Sequence, residues 1–202
     1  FLQLTENRRR QLAEIFVNYL PELFMSNTKN LALCGLFTAL MIAGAFLRIP
    51  VPLVPITFQL FFAVLAGLLL GPWWGAAAVG AYVVLGLVGL PVFTSGGGLQ
   101  YVLQPSFGYI VGFVLAAIVS GLIAGKENKP RFLRLLAAVL AGLAVDYLIG
   151  TAYYFLIAEL YLHSDVGIWA TLISCVFLPG SKDILLGVLA AVIAARVRPL
   201  IA

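Results

Sequence analysis

Two uncharged apolar runs, residues 58–70 and 76–90, follow one another with only Gly71-Pro72-Trp73-Trp74-Gly75 between them. Together they are of the lengths expected for bilayer helices. Gly and Pro end one helix and start the next, and paired tryptophans suit a membrane–water boundary. The connection is too short and too apolar for a solvated loop of a soluble protein. The stretch from Pro50 to Phe93 therefore reads as a membrane hairpin.

Composition extends this to the whole chain. The 202 residues are 63% hydrophobic and 10% charged, against about 25% charged in soluble domains. The expectation is an all-α integral membrane protein, a bundle of six transmembrane helices. A net charge of +4 reports topology here rather than an anionic partner, and nucleic acid is excluded as a partner. Cys34 and Cys175 lie in apolar segments without CxxC spacing, and there is one histidine. Neither a disulfide framework nor a metal site is expected, and both cysteines read as small buried hydrophobes.

Residues 1–24 place Leu12, Ile15, Phe16, Tyr19, Leu20 and Leu23 at helical spacing opposite Arg8, Arg9, Arg10, Glu14 and Asn18. That is an amphipathic interfacial helix or an extension; the six-span domain then occupies 25–202. The first span covers 31–49, with Gly35, Ala39 and Ala43 recurring every four residues. Such a small-residue face either packs internally or docks a partner helix. The fourth span covers 107–124, and the fifth covers 132–159 and includes Asp146. Residues 162–168 form a polar turn, and 169–177 are apolar but too short to span, as in a re-entrant or capping helix. The sixth span starts near Pro179-Gly180 and ends at Arg196. Gly121 to Lys126 superficially suggests a phosphate-binding loop, but the glycine spacing is wrong and no Ser or Thr follows Lys126, so nucleotide binding is rejected.

Six spans put both termini on one side with the 2–3 and 4–5 loops. Ten of the 12 Lys and Arg residues fall there, leaving Arg48 and Lys182 opposite. The positive-inside rule makes the termini cytoplasmic. The outer face then carries Arg48, the Pro-rich turn ending at Gln59, the Gly-rich loop of 94–106, and Lys182-Asp183. A pocket open to the outside could hold unwound backbone there, and the glycines around Gly97 would let amides approach a ligand.

Three motifs in order carry a family resemblance: Val54-Pro55-Ile56-Thr57-Phe58-Gln59, Leu65-Ala66-Gly67-Leu68-Leu69-Leu70-Gly71-Pro72, and Leu85-Gly86-Leu87-Val88-Gly89-Leu90-Pro91-Val92-Phe93. They resemble signatures of the BioY family, the biotin-binding S-components of energy-coupling factor (ECF) vitamin transporters. The likeness runs from about Leu31 to the end. Tyr147, Gly150 and Tyr153 match a Y-x-x-G-x-x-W pattern with Tyr for Trp. Two departures stand out: Gln104 and Phe107 replace two usual glycines, and Pro179-Gly180-Ser181-Lys182-Asp183 stands where the family has P-G-D-x-x-K. The resemblance implies a high-affinity biotin-capture subunit of an ATP-driven importer, without catalytic residues or cofactors of its own. It also implies a transmembrane coupling subunit and two cytoplasmic ATPases as partners. An S-component for another vitamin, or a solitary membrane biotin carrier, is the alternative.

On that reading Lys182 meets a carboxylate and Asp183 accepts N–H groups from a ureido ring; the bland alternative is an interfacial pair. Asp146 is an ionisable group in an apolar span, functional by default unless it is a hydrogen-bond partner within the bundle. Gln59 matches the family's I-T-L-Q and is assigned to ligand contact. Phe93, Tyr109 and Trp169 would line an apolar slot for a thiophane ring, or serve as interfacial anchors. His163-Ser164-Asp165 holds triad residue types, but sequential neighbours do not form a triad. An enzyme is not expected. The protein is placed in the cell membrane, multi-pass, with its binding site outward.

Overall fold

The computed structural model describes residues 28–49, 55–127, 129–160 and 167–201. The segment 1–24 and His163-Ser164-Asp165 lie outside the described residues. The chain divides into two units, Phe1–Leu33 and Cys34–Ala202; the packing below is that of the second.

Helix α1 (Thr28–Phe46) is followed by a two-residue strand β1 (Arg48–Ile49), which pairs antiparallel with β2 (Ile56–Thr57). The hairpin helices are α2 (Gln59–Leu70) and α3 (Pro72–Leu87). A 3-10 turn (Leu99–Leu103) leads to α4 (Phe107–Ala124) and α5 (Phe132–Leu160). The last helical run comprises α6 (Ile168–Leu172), a π-helical segment (Ile173–Phe177) and α7 (Leu178–Ile201). Among the described residues this makes six helical rods, so the protein is an all-α membrane bundle. Four rods are long and apolar enough to cross a bilayer. Helices α2 and α3, of 12 and 16 residues, fall short of the roughly 20 that a full crossing needs.

Two details differ from the sequence expectation. The α2–α3 connection is Gly71 alone, at φ 82°, and Pro72 is the first residue of α3. Trp73, Trp74 and Gly75 lie in the first turn of α3 rather than in a loop. The reason is steric: a Cβ on Gly75 would come 2.8 Å from the Gly67 backbone, and one on Gly121 would come 2.5 Å from Pro72 N. Three backbones from α2, α3 and α4 thus meet where side chains are missing, the close approach that holds helices together in lipid.

The second correction concerns the end of the chain. Residues 169–177 are not a separate re-entrant helix; they run on into α7, which starts at Leu178 beside Pro179-Gly180, as expected. Both belong to one unbroken run from Ile168 to Ile201, beyond the expected end at Arg196. Proline has no N–H and crowds the carbonyl four residues back, here that of Cys175. The π-helical turn absorbs the mismatch, and the Tyr109 hydroxyl of α4 donates to the freed Cys175 carbonyl at 3.0 Å.

In α1, Cys34, Phe37, Thr38, Met41 and Ala45 are buried. The Cys34 thiol donates to Trp74 O at 3.3 Å, and the Thr38 hydroxyl lies 2.8 Å from Ala78 O, both on α3. Gly35, Ala39 and Ala43 are exposed. Both cysteines are free and buried. At the other end of α4, the Arg134 Nε donates to Ile123 O at 2.7 Å, and the Arg198 guanidinium donates to Ala124 O and Gly125 O. Two arginines thus satisfy carbonyls that a helix C-terminus leaves open.

Candidate functional site

The site begins with how α4 and α5 interleave. Gly108 faces the Tyr153 side chain of α5, Gly150 of α5 faces the Tyr109 ring, and Gly112 faces Asp146. A Cβ would lie 2.3 Å from the nearest atom in each case. Each glycine on one helix makes room for a polar side chain on the other. That is how Asp146 enters the bundle, where it is 1% exposed. We expect Gly150→Ala to push the Tyr109 ring from its place and destabilise the protein by about 1–3 kcal/mol, the usual cost of overpacking. A melting temperature in detergent, measured with the ligand affinity, checks this.

Asp146 and Tyr147 line a small cavity of about 40 Å³ with Tyr109 and Phe113 of α4, Leu60 of α2, Pro55, Ile56 and Thr57, and Cys175, Pro179, Lys182 and Asp183 of the last run. The Tyr147 hydroxyl donates to Asp183 Oδ2 at 2.6 Å. Lys182 Nζ lies 2.8 Å from Asp183 Oδ1, donates to Thr57 O, and sits 5.6 Å above the Phe58 ring centroid. The lysine therefore ties the last helix to β2. Asp146 Oδ1 and Asp183 Oδ1 have no hydrogen-bond partner among the described residues, though Asp183 Oδ1 keeps its ion pair with Lys182.

A second cavity of about 30 Å³ is lined by Gln59, Thr94, Tyr101, Ser106 and Ile110. It shares Pro55, Thr57, Tyr109 and Phe113 with the first. Tyr109 is held there by the Cys175 carbonyl and by Thr151 Oγ1 at 3.1 Å. Each cavity alone is water-sized.

Of the residues singled out in the sequence, Tyr109, Asp146, Lys182 and Asp183 converge on the first cavity, and Gln59 and Tyr109 line the second. Gln59 is 3% exposed, and its amide donates to the Tyr82 hydroxyl, which in turn reaches Val92 O at 3.3 Å. Phe93 and Gly97 line neither cavity. The Phe93 ring packs on Tyr82 and Tyr101, at 5.3 and 4.6 Å between centroids, over Gly86. Gly97 lies beneath Leu90, where a Cβ would come 2.1 Å from the carbonyl oxygen. Trp169 is 75% exposed and lines neither cavity.

The Gly-rich loop is also more tied down than its composition suggests. Phe93 and Gly96 exchange backbone hydrogen bonds, Gly98 N–H donates to Gly86 O at 2.7 Å, and Tyr101 is buried. Thr57, Phe113 and Tyr101 were not foreseen as lining residues. Phe113 had a signal, since it follows Tyr109 by one helical turn on the same face. Among the described residues, no three His, Cys, Asp or Glu side chains gather as a metal site. The cavity offers carboxylates, an ammonium and phenols within an apolar bundle, a set suited to holding a ligand with N–H donors and a negative group.

Similar proteins bear on this. Two relatives are the probable biotin transporter BioY of Lysinibacillus sphaericus, 43% identical over 68% of this chain and 70% of its own length, and the biotin transporter BioY of Thermotoga maritima, 40% identical over 85% and 97%. The fold matches the crystal structure of the S-component for biotin from an ECF-type ABC transporter, with a TM-score of 0.69 at 30% identity, covering 86% of this chain and 92% of that one. The BioY family profile matches residues 15–202. With relatives this similar and a match over nearly its whole length, this chain belongs to the BioY family.

Proposed function

We propose that this protein captures biotin from outside the cell, as the high-affinity S-component of an ATP-driven ECF importer. The observation that carries this is the meeting of Lys182, Asp183, Asp146 and Tyr109 around one cavity in a chain of this family. Ionisable groups inside an apolar bundle are expensive and mark ligand paths. The protein acts as a carrier, and the energy comes from two cytoplasmic ATPases through a membrane coupling subunit. The exposed stripe of Gly35, Ala39 and Ala43 supports a docking face on α1 for that subunit. Uptake of labelled biotin by a biotin-auxotrophic host tests the coupling. Expressing the chain together with coupling subunit and ATPases should raise uptake at least tenfold over the chain alone. Equal uptake without them would make it a solitary carrier.

The charge asymmetry along the sequence supports cytoplasmic termini and an outward site. Leu99, 74% exposed on the 3-10 turn, is the position to label, because Gly97 has no room for a side chain. Both native cysteines are buried, so background is low. A Leu99→Cys variant in intact cells should react with a membrane-impermeant thiol reagent. Reaction only after the cells are opened would reverse the topology.

A further inference from the structure

The three ionisable side chains of the first cavity are not equivalent. Asp183 has two partners, the Tyr147 hydroxyl on Oδ2 and the Lys182 ammonium 2.8 Å from Oδ1, although among the described residues Oδ1 accepts no hydrogen bond. Asp146 is more deeply buried, and its Oδ1 is without a hydrogen-bond partner among the described residues. Nothing around it relieves this. From α4 it meets Gly112, which has no side chain, and Tyr109, whose hydroxyl is committed to Cys175 and Thr151. From its own helix, Tyr147 is turned to Asp183. From the last helix come a second carboxylate, Asp183, and Lys182, whose ammonium is turned to Asp183 and Thr57.

A buried carboxylate oxygen left without a donor in an apolar bundle is costly. Its natural partner is a donor that arrives with the ligand. We infer that Asp146 is the acceptor reserved for the N–H groups of the ligand's ring, and that the ring goes in first, with the acid tail left at Lys182. The inference rests on the reading of this cavity as a biotin site and assigns its two ends. It moves the ring contact expected of Asp183 to Asp146. An ammonium has three donors; Thr57 O takes one and Asp183 holds the group as an ion pair, so donors are left for a carboxylate. The Lys182 side chain is 24% exposed, so the tail end is the more open one.

Two analogues separate the ends. In 2-iminobiotin a guanidinium replaces the urea, so the ring carries a positive charge; in biotin amide the tail loses its negative charge. Calorimetric titration of wild type, Asp146→Asn and Lys182→Met with biotin and both analogues is the test. Asp146→Asn is expected to worsen the dissociation constant of iminobiotin relative to biotin at least tenfold, with the amide-to-biotin ratio unchanged. Lys182→Met is expected to bring biotin and its amide together and leave the iminobiotin ratio alone. If Asp146→Asn shifts the amide ratio instead, or leaves the iminobiotin ratio within twofold, Asp146 does not meet the ring. Should the Asn variant not fold, Asp183→Asn reads the other carboxylate, and a loss of tenfold or more in its iminobiotin-to-biotin ratio overturns the inference; wild type then shows whether the ring N–H groups are bound at all. Methylating both ureido nitrogens should then cost at least a hundredfold, and a cost under tenfold overturns the inference. A wild type that binds no biotin defeats the site reading itself, and the inference with it.

Discussion

Replacing Ala39 by tryptophan is expected to abolish biotin uptake and co-purification of the coupling subunit, while the isolated protein binds biotin as before. Ala39 lies between Gly35 and Ala43 on a stripe that faces away from the core, and a Cβ on Gly35 would meet nothing within 4 Å. The opposite face of α1 is committed, with Phe37 and Met41 buried and Cys34 and Thr38 bonded to α3. Helix pairs in lipid are held by close backbone approach, which an indole on the contact face prevents. None of the three small residues lines either cavity, so binding and docking should separate cleanly. Loss of biotin binding in the same variant would mean that the stripe supports the site from within.

Asp183→Ala is expected to reduce biotin affinity more than a hundredfold and to destabilise the protein. Its carboxylate holds Tyr147 at 2.6 Å and Lys182 at 2.8 Å, and the same lysine reaches Thr57 O. Removing one partner of a buried ion pair costs about 3–5 kcal/mol; the partly exposed lysine puts this pair at the lower end, near 3 kcal/mol. The cavity wall then loses its shape, because Lys182 no longer bridges the last helix to β2. Asp183→Asn keeps an acceptor for Tyr147 and should fall between wild type and Ala in both melting temperature and affinity. An Ala variant with wild-type affinity would show that the Lys182–Asp183 pair is an interfacial mark and not part of the site.

How much of this could be read beforehand depends on the range of the interaction that decides each feature. The limits of α4 agree with the residues because Pro105 and Gly125 flank it and act locally. That residues 169–177 join the last helix was not legible, for the opposite reason. Pro179-Gly180 looks like a break before the helix, and the π-helical segment that leads into it takes a hydrogen bond from Tyr109 to Cys175, far apart in the chain. The small-residue face of α1 followed from a four-residue period, but whether it looked inward or outward did not.

The site divides in the same way. Asp146, Lys182 and Asp183 were legible because a charge in an apolar run is conspicuous. Their pairings were not: Lys182 meets Thr57 across 125 residues, and Tyr147 serves Asp183 rather than Asp146. Phe93 was expected at the ligand because an aromatic beside a glycine-rich loop suggests a wall. Gly86 instead leaves a gap on α3 that its ring fills, where a Cβ would lie 2.0 Å from Cζ. No local pattern announces such a gap.

The most direct test of the account is a calorimetric titration of the purified protein in detergent with biotin. The account predicts one site per chain and a melting temperature that rises with biotin concentration, as mass action requires of a ligand that binds only the folded state. No heat and no thermal shift at saturating biotin would contradict it.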